Sequence, residues 1–484
     1  MIYLRKMCNK LKEKWKVTIR REQNMQNNGA GINELLDAIK KMQRVTEVLT
    51  QETLAKTMID MQEVGDCLEK AAAQLEQEQN NEMLKVFVYD VLPKYEALSQ
   101  ACEQVCEVVK SLTEDQTLSQ LKMQKKKVYG FMPDSVVHLV ADITSNAGDY
   151  ILGKSLKMLV ENGTPITWKT VHIVRPVTED VVELCNRSKG IVLGGGGLFL
   201  KDTNPNQISG WTWPCSLEAL QQIEKPIYVM GVGYNRFRGQ EEFDPIFTES
   251  VNALVEKSAF VGLRNHGSIR AVRSYLREDL RDKVKFHPCA TTVLSKLYKL
   301  PKREGTEPFI AINCAYDRMH MRYGEHVNEV MMAIARVAKK LSADYRIKCY
   351  IHCEADAQFN QFLDRMAVPY EDVMLMKEMS SDEYLKYFTE PELVLAIRGH
   401  AQMIPFGCIT PTISMISHDK LAWFLEDIGH PEWGIEVLDE DFENKLMELS
   451  KYMLANREKI CEEIQIAQDK LWDIMQENLK EIKL

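Results

Sequence analysis

From residue 136 onward the chain repeats one unit: a short apolar run, a polar loop carrying glycine, then an amphipathic stretch. That repetition leaves few folds open. Apolar runs too short for core helices, separated by helix-length segments, pair as parallel strands covered on both faces. Residues 136–140 lead into Asp142-Ile-Thr-Ser-Asn146-Ala-Gly148-Asp149 and an amphipathic stretch over 150–160. Residues 190–194 form a strand running into a tight turn at Gly195, Gly196 and Gly197. Strands at 226–233 and 259–264 follow, the second before a helix over 268–276, and 283–294 adds a last strand and turn ending at His287-Pro288.

The pattern then restarts. Strands are expected at 309–314, 345–352, 393–398 and 410–416, with helices at 327–341, 356–366 and 420–425 and a helix-like turn ending at Gly407. The fold class is therefore α/β, with two Rossmann-like domains in series facing a cleft. The first spans 128–300 and the second 301–440, joined near 299–307. Apolar residues at helical spacing (Leu446, Leu449, Met453, Ile460, Ile464, Leu471, Ile474) make 441–484 a C-terminal helical segment, able to pack back across the first domain.

Residues 1–127 have a different texture. Between 32 and 113 glycine is scarce, and stripes such as Met58, Met61, Val64, Leu68 and Ala71 read as an all-helical, coiled-coil-like extension. Such stripes bury against partner helices, so self-association or a protein partner is expected there. The basic residues of 1–24 offer a second reading, peripheral contact with the inner face of a membrane. No apolar run approaches the roughly 20 residues of a membrane span, and no apolar core follows the basic N-terminus as in an export signal. The expected location is cytoplasmic. There the twelve cysteines, scattered and without C-x-x-C pairs, are expected as reduced thiols. A net charge of -9 excludes non-specific nucleic-acid binding as the main activity. A metal reading of Cys349-Tyr-Ile-His352-Cys353 is disfavoured, because strand alternation puts His352 on the face opposite both cysteines; no metal site is expected.

In open parallel sheets ligands bind beyond the carboxyl ends of the strands. The loops there carry Asn146, Gly148 and Asp149; Gly195, Gly196 and Gly197; Gly233 to Arg236; Arg264 and Asn265; His287; His352; Arg398, Gly399 and His400; and His418 to Lys420. Arginines and imidazoles predominate, which suits an anionic substrate and a proton transfer. No P-loop occurs, and the glycine run does not match a dinucleotide fingerprint.

In this order, Asn146-Ala-Gly-Asp149, Val192-Leu-Gly-Gly-Gly-Gly-Leu-Phe, Gly231-Val-Gly, Val261-Gly-Leu-Arg264-Asn265, Arg398-Gly-His400 and Lys420-Leu-Ala-Trp-Phe-Leu-Glu-Asp together resemble the polysaccharide pyruvyl transferase family over roughly 136–430. The resemblance implies a two-domain fold similar to GT-B glycosyltransferases and no cofactor beyond phosphoenolpyruvate as co-substrate. It also implies a saccharide acceptor from a surface or capsular polysaccharide precursor and a pyruvate ketal as product. Arg264 and Arg398 would then hold the donor's phosphate and carboxylate, and His400 would be the general acid. Asn146, Gly148, Asp149, the Gly195–Gly197 run, Asn265, His287, His352 and Lys420 complete the expected binding set. Gly399 stands where the family more often has a bulky residue. Two other readings stay open: a nucleotide-sugar glycosyltransferase, with Glu426 or Asp427 as the ribose acid, and a non-catalytic assembly protein acting through its helical extension. Trp211 and Trp213 are either a sugar-stacking platform or a packed lid.

Overall fold

The computed structural model describes residues 135–141, 146–201, 208–305, 307–375 and 379–484. The helical extension expected over 1–127 lies outside the described residues.

The first lobe contains β1 (Ser135–Val140), β2 (Thr167–His172), β3 (Gly190–Phe199), β4 (Ile227–Tyr234), β5 (Phe260–Leu263) and β6 (Val284–Phe286). The second contains β7 (Phe309–Asn313), β8 (Arg346–Ile351), β9 (Tyr370–Met374), β10 (Leu393–Ala396), β11 (Thr412–Ile416) and β12 (Gly434–Glu436). Among the helices, α1 (Ala147–Glu161) and α2 (His266–Arg273) belong to the first lobe, and α3 (Val327–Leu341), α4 (Gly399–Gly407) and α5 (Asp419–Ile428) to the second. The chain closes with α6 (Phe442–Ala455) and α7 (Arg457–Leu479).

Each lobe is one six-stranded sheet, ordered β2-β1-β3-β4-β5-β6 and β12-β11-β10-β7-β8-β9, and each strand pair is parallel. Strand order reverses between β1 and β3 in the first sheet and between β7 and β10 in the second. These are the positions where two loops diverge and leave a crevice. Central strands such as β1, β7, β10 and β11 are buried along their whole length, which accounts for their unbroken apolar runs.

One expectation needs correcting. The glycine run is not a turn after β3; the strand continues through it to Phe199, with a register shift against β4 between Gly196 and Phe199. Gly194, Gly195 and Gly196 adopt positive φ, so the ladder bends without ending. The space above Gly195 belongs to Leu152 of α1, whose atoms would lie 2.7–2.8 Å from an added Cβ.

The lobes touch on both sides of the crevice. On one side the Ala147 amide donates to the His352 carbonyl (3.1 Å), and the Tyr384 hydroxyl donates to the Ala147 carbonyl (2.7 Å). On the other, Arg238 grips Glu436 through both terminal nitrogens (2.7 and 2.9 Å) and also pairs with Asp419. There His266 meets Asp427 at 2.8 Å, and α2 lies against α5. Helix α7 spans both lobes. Gln468 donates to the Phe406 carbonyl in the second, and Asn478 to the Phe286 carbonyl in the first (2.8 Å). Ile460, Ile464, Leu471 and Met475 bury its inner face. The C-terminal segment thus packs back on the first lobe. Among the described residues, no helix is long and apolar enough to cross a membrane.

The α2–α5 contact is tight enough to test. A Cβ at Gly267 would fall 1.9 Å from the Trp423 ring. Gly267→Ala is expected to cost about 1–3 kcal/mol by overpacking, measured as a lower denaturant midpoint; an unchanged midpoint would mean that the lobes do not close on each other there.

Candidate active site

Both switch points open onto the same place. The β1–α1 connection brings Asn146, Gly148 and Asp149; β10 and α4 bring Arg398, Gly399 and His400. Asn146 caps α1, its side-chain oxygen accepting from the Gly148 amide (3.0 Å). This cap turns the first residues of α1 toward the other lobe, and His400 packs directly on Gly148: an added Cβ would lie 2.3 Å from Nδ1. Nδ1 is 3.8 Å from Asp149 Oδ1, and Nε2 is 3.9 Å from the Cys289 thiol.

Arg264 follows β5 and enters from the first lobe. Its path exists because Gly233 and Gly197 lack side chains; added Cβ atoms would sit 2.2 Å from its Nε and 3.2 Å from its Nη2. It is 5% exposed, and among the described residues neither Nε nor Nη2 has a hydrogen-bond partner. Lys420, in the first turn of α5, gives its ammonium to the Asn235 side-chain oxygen (2.6 Å). Burial, then repulsion from Arg264 and Arg322, holds Lys420 well below the usual lysine range.

The same field acts on the site's acid–base groups. Burial, joined by Arg264, Lys420 and His352, holds His400 down to about 3, so the imidazole is neutral at pH 7. Burial pushes the Asp149 carboxyl up to about 6, against the pull of Arg264, Lys420 and Arg398. An imidazole and a carboxyl 3.8 Å apart, with a guanidinium and an ammonium nearby, can exchange protons with a bound anion and receive its charge.

Arg398 is situated differently. Its Nε donates to Asp356 at 2.9 and 3.1 Å, Nη2 donates to Asp356 at 2.5 Å, and Nη2 also meets Asp317 at 2.7 Å. Burial alone would lower its pKa, but Asp356 and Asp317 raise it instead. Asp356 is 1% exposed and also accepts from Asn313 (3.0 Å) and from the amides of His352 and Cys353 (3.2 and 3.3 Å). Asp317 in turn faces Arg318 and Arg322.

The remaining expected residues divide by what they touch. Asn265 caps α2 through Ser268 (2.7 Å), while its Nδ2 is buried and unpartnered among the described residues. Gly196 lies by Asp149, and Gly195 packs on α1. His352 is 1% exposed with neither ring nitrogen partnered among the described residues, and it acts electrostatically on His400. The His287 ring meets Asn478 of α7 (3.1 Å) and the edge of Phe260. Trp211 and Trp213 are buried in the first-lobe core, with the Trp211 indole donating to Ser250 (3.0 Å); of their two readings, the packed one holds. Glu426 and Asp427 pair with Arg270 and His266 between the lobes. Among the described residues there is no group of three His, Cys, Asp or Glu placed to hold a metal ion.

Sequence reasoning missed Asp356, Asp317, Asn313 and Cys289. Asn313 ends β7 and Asp317 follows it, at the second switch point, so strand ends alone could have found them. Asp356 had no signal beyond its position after β8.

This is a two-lobed α/β protein whose crevice gathers buried cations around an imidazole and a carboxyl. The chain belongs to the polysaccharide pyruvyl transferase family, whose sequence profile matches residues 127–420. No curated protein sequence matches it. Similar solved structures include the Anabaena protein HepE in complex with UDP, at 12% identity and a TM-score of 0.44, over 72% of this chain and 98% of that one. Another is the UDP-GlcNAc 2-epimerase from Neisseria meningitidis bound to UDP-GlcNAc, at 11% identity and 0.43, over 72% and 99%. The wall teichoic acid polymerase TagF is also similar, at 10% identity and 0.37, over 75% and 95%.

Arg398→Ala would strand Asp356 as a buried, unpaired carboxylate. The expected loss is about 3–5 kcal/mol of stability, seen as a clear drop in melting temperature without any ligand. A variant that melts like the parent would show that this pairing does not support the fold.

Proposed function

We propose that the protein transfers a pyruvyl group from phosphoenolpyruvate to two hydroxyls of a saccharide in a surface or capsular polysaccharide precursor, releasing phosphate and forming a cyclic ketal. The observation that supports this reading best is Arg264: a buried guanidinium with two unpartnered nitrogens, in the same crevice as His400 and Asp149. A buried cation lacking a hydrogen-bonded counter-charge is costly in the free protein and becomes favourable when an anion arrives.

In this reading Arg264 and Lys420 receive the donor's charged groups. The donor's negative charge opposes both the burial and the repulsion that keep His400 neutral, so the imidazole gains a proton as the complex forms. His400 gives that proton to the donor's methylene carbon, C2 becomes cation-like, and a sugar hydroxyl adds to it while Asp149 takes the hydroxyl proton. The C2–O bond to phosphate then breaks, with its electrons leaving on phosphate, and the second hydroxyl closes the ketal with loss of its own proton. Arg398, already committed to Asp356 and Asp317, acts by fixing the start of α4 and so the placement of His400. This changes the role the family resemblance implied for it. The nucleotide-sugar reading is weakened because Glu426 and Asp427 are engaged between the lobes.

The direct test is phosphate release from phosphoenolpyruvate by the full chain, supplied with lipid-linked and nucleotide-linked sugars, with mass spectrometry of the products. Release matched by a pyruvate-ketal gain on one sugar, reduced about a hundredfold or more in His400→Ala, is expected. No turnover with any acceptor, and no binding of the donor, would reject the proposal.

Two pH effects follow from the same groups. Donor binding at pH 7 is expected to take up protons, measured by calorimetry in buffers of different ionisation enthalpy; no uptake would remove His400 from the acid role. Asp149 has a folded pKa above its unfolded value, so the folded state binds its proton more tightly. Its contribution is therefore favourable at low pH and lost as pH rises through about 6. Asp149→Asn should raise stability by roughly 1–3 kcal/mol at pH 8 and by less at pH 5, while abolishing transfer. Equal effects at both values would contradict the burial argument.

A further inference from the structure

Just beyond β4, three of the four residues 235–238 reach across to the second lobe. The Asn235 amide donates to the Phe199 carbonyl (2.8 Å), continuing the pairing of β3 with β4 past Tyr234. This fixes where its side chain can go, and the side chain meets Lys420 of α5. The Phe237 ring lies against the His418 ring, with centroids 4.3 Å apart, and Arg238 pairs with Asp419 and Glu436.

These cross-lobe contacts differ in chemistry. Arg238 is answered by carboxylates, as Arg398 and Arg322 are within the second lobe. Lys420 is answered by an amide. The buried Asn235 side-chain oxygen accepts from its ammonium at 2.6 Å, and Asp317 acts on it only through space. The orientation of the carboxamide follows from its neighbours. An ammonium offers donors alone, so the oxygen faces Lys420, and Nδ2 points to the Gly197 carbonyl (3.4 Å). Arg264 shares the space above that glycine: an added Cβ would lie 2.8 Å from Asn235 Nδ2 and 3.2 Å from Arg264 Nη2. The carboxamide thus stands beside both cations of the crevice and neutralises neither.

Asparagine and aspartate have nearly the same shape. An aspartate here would give Lys420 a charge-assisted hydrogen bond and set a negative charge near Arg264. It would forfeit only the long contact to the Gly197 carbonyl. Leaving cations withdrawn from water without a counter-charge is costly, so the stability of the free protein does not account for asparagine. What an aspartate would remove is the surplus positive charge.

We infer that Asn235 is a positioning and specificity-determining residue: it holds Lys420 across the lobes through an uncharged oxygen, so that the charges of Lys420 and Arg264 stay available to an anionic donor. This rests on the transfer reaction proposed above, in which those two groups receive the donor. Asn235 itself acts through Lys420.

The test compares the full chain with Asn235→Asp and Asn235→Ala at pH 7, by thermal melting and by calorimetric binding of phosphoenolpyruvate. Asn235→Asp is expected to melt at or above the parent temperature without ligand, yet to bind the donor at least about tenfold more weakly. Loss of packing would instead lower both. Asn235→Ala removes the acceptor without adding charge, and its loss of donor binding should be smaller than that of Asn235→Asp. Donor binding by Asn235→Asp equal to the parent's overturns the inference and leaves the proposed reaction standing. So does a loss in Asn235→Ala as large as in Asn235→Asp, since the hydrogen bond and not the charge would then matter. Asn235→Asp melting below the parent also overturns it, because the cations would then have no use for a counter-charge. If the parent does not bind phosphoenolpyruvate, the proposed reaction fails, and inorganic phosphate becomes the probe. Phosphate binding weakened more by Asn235→Asp than by Asn235→Ala supports the inference; equal effects, or no phosphate binding by the parent, overturn it.

Discussion

A guanidinium removed from water without a hydrogen-bonded carboxylate destabilises a fold by several kcal/mol, and Arg264, with Nε and Nη2 unpartnered among the described residues and Asp149 acting on it only through space, is in this condition. The surrounding structure keeps it there. Two glycines clear its path, β5 delivers it to the end of the first sheet, and the second lobe closes over it with Lys420 rather than an acid. Burial sets the protonation of His400 and Asp149, and the cationic field that results adds to it at His400 and opposes it at Asp149. Arg398, beyond the end of β10 in the second lobe, shows the opposite solution. It too is buried, but two aspartates satisfy it, so its charge supports the second lobe while that of Arg264 remains available to a ligand. Two arginines that look alike in the sequence therefore have different physical roles.

Central strands were legible because burial on both faces leaves a continuous apolar run. Expected strands at 136–140, 226–233, 309–314 and 393–398 correspond to β1, β4, β7 and β10, and the helix expected at 327–341 is α3. The strands that escaped notice are β2, β9 and β12, all at sheet edges or ends. β2 and β9 bury a single residue each among exposed ones, and β12 is three residues long. Half-solvated strands of this kind have no apolar run to read. The glycine run misled for a related reason: glycine marks a turn in most contexts, and only the opposing strand reveals that it can bend a ladder instead.

At the site, residues carried by strand ends were legible and residues recruited to hold them were not. Asn146, Asp149, Arg264, His400 and Lys420 come together at the crevice, as placement beyond the carboxyl ends suggests. Asp356 was invisible because its importance depends on Arg398, which is distant in sequence and reaches it across the second sheet. His287 shows the converse: it stands at a strand end, yet its ring is engaged by Asn478, a partner 191 residues away. Chemistry-bearing residue types reveal candidate groups, but which of them are already neutralised is a property of three-dimensional pairing.

The span of α7 across both lobes bears on the order of biosynthesis. A nascent chain that has emerged as far as the first lobe presents Arg264 and Asp149 but lacks His400, Lys420 and the aspartates that hold Arg398. Once the second lobe has emerged the chemistry is present, yet Phe406 and Phe286 still await Gln468 and Asn478, which bridge the two halves from one helix. Alignment of the crevice is thus among the last events of synthesis, and a partly made chain holds Arg264 and Asp149 without the His400 and Lys420 that complete the site.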